Sequence, residues 1–160
     1  MKTLRHDLRY DGATLAQVRA MLADPKFREE VCVSQHYDRY RVDLDSAGDR
    51  MTVTIDQYRP AEGVPPFAKK FVGSDVHIVQ HEEWPSATDA TLEVSIPGKP
   101  GEIRGTIGLV ETGDGVTETV QVDIRVAIPL VGGRIEGLIA DLLRDALEAE
   151  SRVGRKWLTR

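Results

Sequence analysis

The stretch IPLVGGRIEGLIADLLRDALEAESRVGRKWL, residues 128–158, decides the fold of this chain. After Gly133, apolar side chains recur at steps of three or four residues, which is the spacing of one face of an α-helix. This apolar face comprises Ile135, Ile139, Leu142, Ala146, Ala149, Val153 and Trp157. The opposite face comprises the charged residues Arg134, Asp141, Arg144, Glu148, Arg152 and Arg155. Such a helix extends about 39 Å, so only a large sheet can cover its apolar face.

The residues before this helix predict such a sheet. Residues 3–10 alternate as a strand, and two short helices follow at 15–22 and from 25 to about 33. Thr14 and Gln17 are spaced as a capping box at the start of the first helix. Turn residues then separate six alternating segments, with a proline-rich loop over 59–67 and a helical turn over 68–72. The six segments are 36–44, 51–55, 76–84, 91–96, 103–109 and 117–128.

This order of elements predicts an α+β fold. Strands that follow one another through short turns pair in antiparallel fashion. A strongly twisted sheet of this size can curl around a helix. We therefore predict a curved antiparallel sheet of about seven strands, with two short helices after strand 1 and a long C-terminal helix packed on the sheet. Residues 1–160 are expected to form a single domain.

Composition excludes several classes of protein. The net charge of -5 and the absence of a basic cluster argue against nucleic-acid binding. Cys32 is the only cysteine, so an intrachain disulfide is impossible, which fits a reducing compartment. No apolar stretch reaches the roughly 18 residues needed to span a bilayer, and the first residues lack the apolar segment of a signal peptide. We expect a soluble, cytoplasmic protein without integral membrane association, and the sequence leaves the oligomeric state open.

No metal site, cofactor site or nucleophile motif is predicted. His77 and His81 lie about 13 Å apart on a predicted strand, so their imidazoles cannot share one ion. The glycine pair that ends at Gly133 lacks the Lys-Ser/Thr of a phosphate loop, and no serine lies in Gly-x-Ser-x-Gly. Cys32 and His36 have helical spacing, but His36 is predicted to begin a strand, so we interpret Cys32 as a buried core residue.

The order of elements resembles the helix-grip fold of the START-like (SRPBCC) superfamily. That superfamily includes plant pollen-allergen proteins, lipid-transfer domains, and polyketide cyclases and dehydratases. Residues 128–158 are similar to the strand-to-helix passage of its bacterial members. The segments KKFVG (69–73), EEW (82–84) and IPGKPGEIRGTIGL (96–109) resemble an uncharacterised bacterial family of this superfamily. The resemblance implies the fold and a cavity between sheet and helix, but no catalytic residue.

The residue sizes agree with such a cavity. A curled sheet and a straight helix are not complementary surfaces, so large side chains must fill the space between them or a cavity remains. Aromatic residues make up only 6% of the chain, and the inward positions are mostly medium-sized, although a filled core is the alternative. The candidate cavity-lining, ligand-binding residues are His6, Tyr40, Val42, Val53, Ile55, Phe67, Ile78, Leu92, Val94, Ile107, Leu109, Val122, Ile124, Ile139, Leu142, Ala146 and Glu150.

Four of these candidates have a particular predicted role. His6 and Tyr40 share strand faces with apolar residues, so each either orients a ligand or moves a proton, or is satisfied by a local hydrogen bond. Glu150 lies at the edge of the apolar helix face. It either has a raised pKa and acts as an acid or base, or reaches solvent or a basic neighbour. Phe67 follows two prolines and is predicted to be a lid over the cavity mouth.

We therefore predict a protein that binds or carries a small hydrophobic molecule, a lipid or a polycyclic compound, in this cavity. One alternative is a cyclase- or dehydratase-type enzyme that uses His6, Tyr40 or Glu150 for proton transfer. Another is an interaction module whose groove receives a protein partner. Two or more polar groups that converge inside the cavity would favour the enzyme. A filled core with an exposed apolar patch would favour the interaction module.

Overall fold

Seven strands form one antiparallel sheet in a computed structural model that describes residues 1–160. The strands are β1 (Lys2–Asp11), β2 (Arg39–Ala47), β3 (Arg50–Pro60), β4 (Asp75–Trp84), β5 (Asp89–Ser95), β6 (Glu102–Thr112) and β7 (Gly115–Arg125). The helices are α1 (Leu15–Leu22), α2 (Pro25–Ser34), α3 (Pro66–Val72) and α4 (Gly132–Leu158). The spatial order is β1-β7-β6-β5-β4-β3-β2, so β1 and β2 are the edge strands. The predicted fold class is confirmed.

Several predicted boundaries shift by a few residues. The strand predicted from residue 36 begins only at Arg39, because His36 adopts a left-handed backbone conformation with φ of 65° just after α2. The strand predicted to end before residue 59 continues to Pro60, and the helical turn predicted over 68–72 begins at Pro66. The predicted capping box is confirmed. The Thr14 hydroxyl accepts a hydrogen bond from the Gln17 N–H at 3.2 Å, and Gln17 Oε1 accepts from the Thr14 N–H at 2.9 Å.

The long helix α4 is fixed to the sheet at its ends and stands away from it in the middle. Ile135 and Ile139 near its start are buried, and Ala149 is buried further along. Between them, Leu142 is 42% exposed and Ala146 is half-buried. The predicted charged face is exposed at every position. The apolar face therefore covers the sheet only in part, which leaves a space under the centre of the helix. No helix of the protein is both long enough and apolar enough to cross a bilayer.

Two glycines permit close approach of neighbouring elements. A Cβ added to Gly105 in β6 would lie 1.8 Å from the carbonyl oxygen of Gln121 in β7, so no side chain fits at this position. A Cβ on Gly154 in α4 would lie 2.9 Å from the Tyr10 hydroxyl oxygen, so glycine lets the end of α4 approach β1 closely. The same end packs on α2, where the Trp157 and Phe27 rings meet edge to face at 5.7 Å.

The outer face of the sheet holds the two histidines considered for a metal site. The His77 Nε2 atom lies 2.7 Å from Asp56 Oδ1, and its ring stacks on Tyr58 at 4.0 Å between centroids. The His81 Nδ1 atom lies 2.9 Å from Thr54 Oγ1. Each imidazole therefore has its own partners on the outer face, on the opposite side of the sheet from the core.

Candidate ligand-binding cavity

A cavity of about 650 Å³ lies between the inner face of the sheet and the helices α2, α3 and α4. Of its 42 lining residues, 26 are hydrophobic, so the wall is mostly apolar. Exposed lining residues mark where the cavity meets the surface, between the end of α2, the loop before α3 and the middle of α4. These residues include His36, Glu62, Gly63, Leu142, Asp145 and Arg152. The volume lies within the range of small-molecule sites.

Most of the sequence-predicted residues from the central strands and from α4 line this cavity. They are Ile55, Ile78, Leu92, Val94, Ile107, Val122, Ile139, Leu142, Ala146 and Glu150. They share one property: each lies on the inner face of β3 to β7 or on the cavity side of α4. Strand alternation and helix periodicity were sufficient to identify them.

The predicted residues on the edge strands do not line the cavity. His6 is half-buried on β1, opposite Val120, and it makes no side-chain hydrogen bond. Tyr40, which is 38% exposed, and Val42 lie on β2 at the other edge. Alternation identifies which side of a strand faces the core, but it does not identify which residues of that side reach the cavity: Leu4 on β1 lines the cavity and His6 does not.

Four further predicted residues also lie outside the cavity wall. Val53, Leu109 and Ile124 are buried on the inner face and pack within the core. Phe67 is half-buried and lies under the guanidinium of Arg134, with 4.2 Å between the guanidinium carbon and the ring centroid. Phe67 does not line the cavity, and the ring that α3 contributes to the wall is Phe71.

One part of the cavity wall is charged, and it begins with a buried ion pair. Arg28 on α2 is 2% exposed. Its Nη1 and Nη2 atoms donate to the two carboxylate oxygens of Glu82 on β4 at 2.8 and 3.0 Å. Its Nε atom donates to the carbonyl oxygen of Leu22 at 2.9 Å. This bidentate geometry is the strong form of an arginine–carboxylate ion pair.

Glu82 is fully satisfied by hydrogen-bond donors. In addition to Arg28, the Trp84 indole Nε1 donates to it at 2.9 Å and the Gln80 amide donates at 2.6 Å. Burial acts to raise the pKa of Glu82, but the Arg28 charge and the hydrogen bonds from Arg28, Trp84 and Gln80 together hold that pKa below its usual value. Glu82 is therefore ionised at neutral pH and compensates the charge of Arg28.

Glu118 on β7 has the opposite environment. It is 2% exposed, lies between Leu8 and Leu109 on the neighbouring strands, and lines the cavity. Its Oε1 atom has no hydrogen-bond partner. Burial, followed by the negative charges of Glu150 and Glu82, raises the pKa of Glu118 well above its usual value. The environment of Glu118 therefore favours the protonated form of its carboxyl group, in contrast to that of Glu82.

Glu150 reaches the same region from α4. Burial raises its pKa to about 7, with a further increase from Glu82 and a partial decrease from the charge of Arg28. The direction of this shift agrees with the first alternative that the sequence leaves open for Glu150, and the side chain is half-buried. Tyr10 lies behind the two glutamates with its hydroxyl buried and unpartnered. Burial and the charges of Glu118 and Glu150 raise the pKa of the Tyr10 phenol, which stays neutral.

Cys32 also lines the cavity but is not an activated nucleophile. Its thiol donates to Gln57 Oε1 at 3.4 Å, and no hydrogen bond joins it to His36. Burial raises the pKa of the thiol to about 11, so the thiolate is scarce at neutral pH. The interpretation of Cys32 as a buried residue agrees with its position.

Sequence reasoning missed Arg28, Glu82 and Glu118. The signal was present in the alternation, because Glu82 occupies an inward position between Gln80 and Trp84 and Glu118 occupies one between two valines. A charged residue in a half-buried strand is normally assigned to the solvent face. In both strands, however, the alternation with the neighbouring inward residues places the carboxyl group on the core side of the sheet.

Comparison with known sequences gives a family and uncharacterised relatives. A family model described as "Protein of unknown function (DUF2505)" matches residues 5–158. Uncharacterized proteins of Mycobacterium tuberculosis and Mycobacterium bovis are each 29% identical over 127 residues, which cover 74% of this chain and 72% of theirs. None of these matches carries an activity.

Solved structures share the fold. The TTHA0849 protein of Thermus thermophilus aligns with a TM-score of 0.67 and 14% identity, over 99% of this chain and 97% of its own. The di-domain ARO/CYC StfQ from the steffimycin biosynthetic pathway aligns with a TM-score of 0.66 and 11% identity, over 98% of this chain and 50% of its own. A START superfamily protein from Mycobacterium smegmatis aligns with a TM-score of 0.58 and 12% identity, over 94% and 96%. The predicted START-like helix-grip fold is confirmed; identities this low carry no information beyond the fold.

Proposed function

We propose that this chain, which belongs to the family of proteins of unknown function DUF2505, binds a small and mostly apolar molecule in the cavity between its sheet and α4. The observation that carries the proposal is the cavity itself, about 650 Å³ with 26 hydrophobic residues among the 42 that line it. A concave, largely apolar wall with a few polar groups is typical of ligand sites. The middle of α4 forms one side of this wall through Leu142, Leu143 and Ala146.

The polar groups of the wall are grouped rather than scattered, which favours an amphipathic ligand. Arg28, Glu82, Glu118 and Glu150 all line the cavity and influence one another electrostatically. The apolar residues of the central strands make up most of the remaining wall. A ligand with an apolar body and one polar end matches this division.

The same grouping favours a second candidate function, an enzyme that transfers protons in the cavity. Glu150 has a pKa of about 7, and burial together with the charges of Glu150 and Glu82 raises the pKa of Glu118 on the opposite wall. Such a pair supplies one group poised to accept a proton and one able to donate it. Convergence of polar groups is the feature expected of a cyclase- or dehydratase-type enzyme, although the groups are two glutamates rather than His6 and Tyr40.

The interaction-module alternative receives less support. That alternative predicts a filled core, whereas the interior of the protein contains the cavity. Apart from Met1, the large apolar side chains that are exposed belong to different parts of the fold. They are Val33, Tyr40, Val110, Leu130 and Leu142. Of these, Leu142 belongs to the cavity wall.

Binding can be tested with the neutral fluorescent probe N-phenyl-1-naphthylamine and two variants that narrow the cavity. Ala146→Phe adds a ring from the helix side, and Ile107→Phe adds one from the sheet side. We expect the dissociation constant of the probe to rise about tenfold or more in each variant. The matched control Ala47→Phe adds the same ring at an exposed site and should change the dissociation constant by less than about twofold. Circular dichroism of each variant verifies folding.

The binding proposal fails if the wild-type protein does not enhance the probe's fluorescence, or if both cavity variants bind the probe as the wild type does. The enzyme candidate is tested separately, by comparing a metabolite extract before and after incubation with wild type and with Glu150→Gln. A compound consumed by the wild type alone supports catalysis, and an extract unchanged by the wild type argues against it.

A further inference from the structure

We propose that the molecule bound in this cavity carries a cationic amine, held by the carboxylates of Glu118 and Glu150 while its apolar body lies on the rest of the wall. This inference rests on the proposed function and names the chemical class of the ligand. It depends on three properties of the charged region: the convergence of the two glutamates, the absence of a cation to compensate them, and an unpartnered buried oxygen.

The two glutamates converge from opposite walls over Tyr10. In the register of β1 and β7, Leu8 lies opposite Glu118 and Tyr10 opposite Val116, so Tyr10 is the diagonal neighbour of Glu118 on the inner face. Gly154 of α4 lies directly on the Tyr10 ring. Glu150 precedes Gly154 by one helical turn and therefore lies on the same side of α4. Both carboxyl groups line the cavity at this point.

No cationic side chain forms an ion pair with these two glutamates. The guanidinium of Arg28 is already committed to Glu82 and to the carbonyl oxygen of Leu22. On α4, Arg155 is exposed and donates to Ser151 Oγ at 2.7 Å, and Arg152 lies exposed at the rim of the cavity. When Glu118 and Glu150 are ionised, their negative charges therefore have no partner of their own in the cavity wall.

The hydrogen bonds of Glu118 are also incomplete. Its side chain is 2% exposed, yet Oε1 has no hydrogen-bond partner within the protein. Buried carboxyl oxygens are normally paired, since an unpaired one loses its hydration without compensation. The contrast with Glu82, which is equally buried and fully bonded, makes Glu118 the position at which a ligand group completes the structure.

An ammonium group matches these needs better than other common polar groups. It supplies three N–H donors and one positive charge, and its attraction to carboxylates is strengthened by the low dielectric of a buried site. A hydroxyl supplies one donor and no charge. A carboxylate would add a third negative group beside the pair. We therefore expect the affinity for ligands of equal length to fall in the order amine, alcohol, carboxylate.

Protonation of the pair should change when an amine binds. Arg28 and Glu82 act on both glutamates, and the pair in turn acts on Tyr10, which Arg155 also influences from α4. None of these is a free cation inside the cavity. Without a ligand, the raised pKa values shift both carboxyl groups toward their protonated forms. A bound ammonium favours their ionised forms, so its binding should release protons to solvent.

The test measures displacement of N-phenyl-1-naphthylamine by decylamine, decan-1-ol and decanoate at about pH 7. We expect decylamine to bind about tenfold more tightly than decan-1-ol, and decanoate to bind most weakly. In the double variant Glu118→Gln/Glu150→Gln, the preference for decylamine over decan-1-ol should fall to about threefold or less. The matched control Glu148→Gln removes a carboxylate from the exposed face of α4 and should keep the full preference.

Calorimetry in two buffers of different ionisation enthalpy supplies a second readout. Decylamine should release protons on binding to the wild type, and decan-1-ol should release none. Equal affinity for the amine and the alcohol, or a preference that persists in the double variant, would overturn the amine inference and leave the binding proposal intact. Decanoate binding most tightly would also overturn it, because the rim arginines Arg59 and Arg152 would then hold the polar end. Failure of the wild type to bind the probe or any ligand would overturn both the amine inference and the binding proposal.

Discussion

Glu82 and Glu118 occupy similar positions in the sheet and have opposite chemistry. Each lies on the inner face of a central strand, each lines the cavity, and they are 1% and 2% exposed. Glu82 accepts four hydrogen bonds, two from Arg28 and one each from Gln80 and Trp84. Glu118 has a buried oxygen without any partner. Burial alone therefore does not define the role of a carboxyl group: Glu82 is part of the scaffold, whereas Glu118 has bonding capacity left for a ligand.

The largest change in the free energy of unfolding is expected from Glu82→Gln. The substitution removes the charge that compensates Arg28 and leaves a guanidinium buried without an ionised partner. Breaking a buried pair on one side costs about 3–5 kcal/mol, so the free energy of unfolding measured by urea denaturation should fall by that amount. Glu83→Gln, on the exposed face of the same strand, should change it by about 0.5 kcal/mol or less. A loss below about 1 kcal/mol for Glu82→Gln would contradict the scaffold role.

An intermediate and pH-dependent effect is expected from Glu150→Gln. Because the pKa of Glu150 is about 7 in the folded protein and lower in the unfolded chain, the folded state retains this proton to higher pH. Its contribution to the free energy of unfolding therefore falls as the pH rises from the unfolded pKa to about 7. The glutamine variant lacks this titration and should gain stability over the wild type by about 2 kcal/mol at alkaline pH, after allowance for solvent screening of a half-buried group.

Urea denaturation at about pH 5 and about pH 8 checks this prediction. The two proteins should be similarly stable at the lower pH and should differ at the higher one. Glu148→Gln, on the exposed face of α4, is the matched control and should show no such change with pH. A stability difference between wild type and Glu150→Gln that is the same at both pH values would count against a raised pKa.

The smallest effect is expected from Glu118→Gln near neutral pH. An amide has nearly the shape of a protonated carboxyl group, which is the form that the raised pKa of Glu118 favours, and no hydrogen bond to Oε1 is lost. The free energy of unfolding should change by less than about 1 kcal/mol. The same chemical substitution at Glu82 and Glu118 thus separates the two roles. If Glu118→Gln were as destabilising as Glu82→Gln, Glu118 would be an ionised and paired scaffold residue.

The sequence was sufficient for the fold because its signals are local and agree with one another. The Thr14–Gln17 capping box, the strand alternation and the helix periodicity after Gly133 each specify an element without reference to the rest of the chain. Glu150 was identified as a candidate because it borders the apolar face of α4. Boundary errors fell where the backbone is unusual, as at His36 with its left-handed conformation.

The charged part of the cavity could not be predicted in the same way. Arg28 and Glu82 are 54 residues apart in the sequence, and only the packing of α2 on the sheet makes them a pair. His6 and Tyr40 were expected in the cavity because they lie on inward strand faces. The strand order, which puts β1 and β2 at the two edges, is a property of the assembled sheet. Long-range pairing, rather than local pattern, decides which polar residues reach the ligand.

A crystal structure of the protein with decylamine bound tests the central claim most directly. The account predicts electron density for the alkyl chain along the apolar wall under α4, with the nitrogen within about 3 Å of carboxyl oxygens of Glu118 and Glu150. Density only at the rim beside Arg59 or Arg152, or an interior in which α4 has closed onto the sheet and left no room for a ligand, would contradict it.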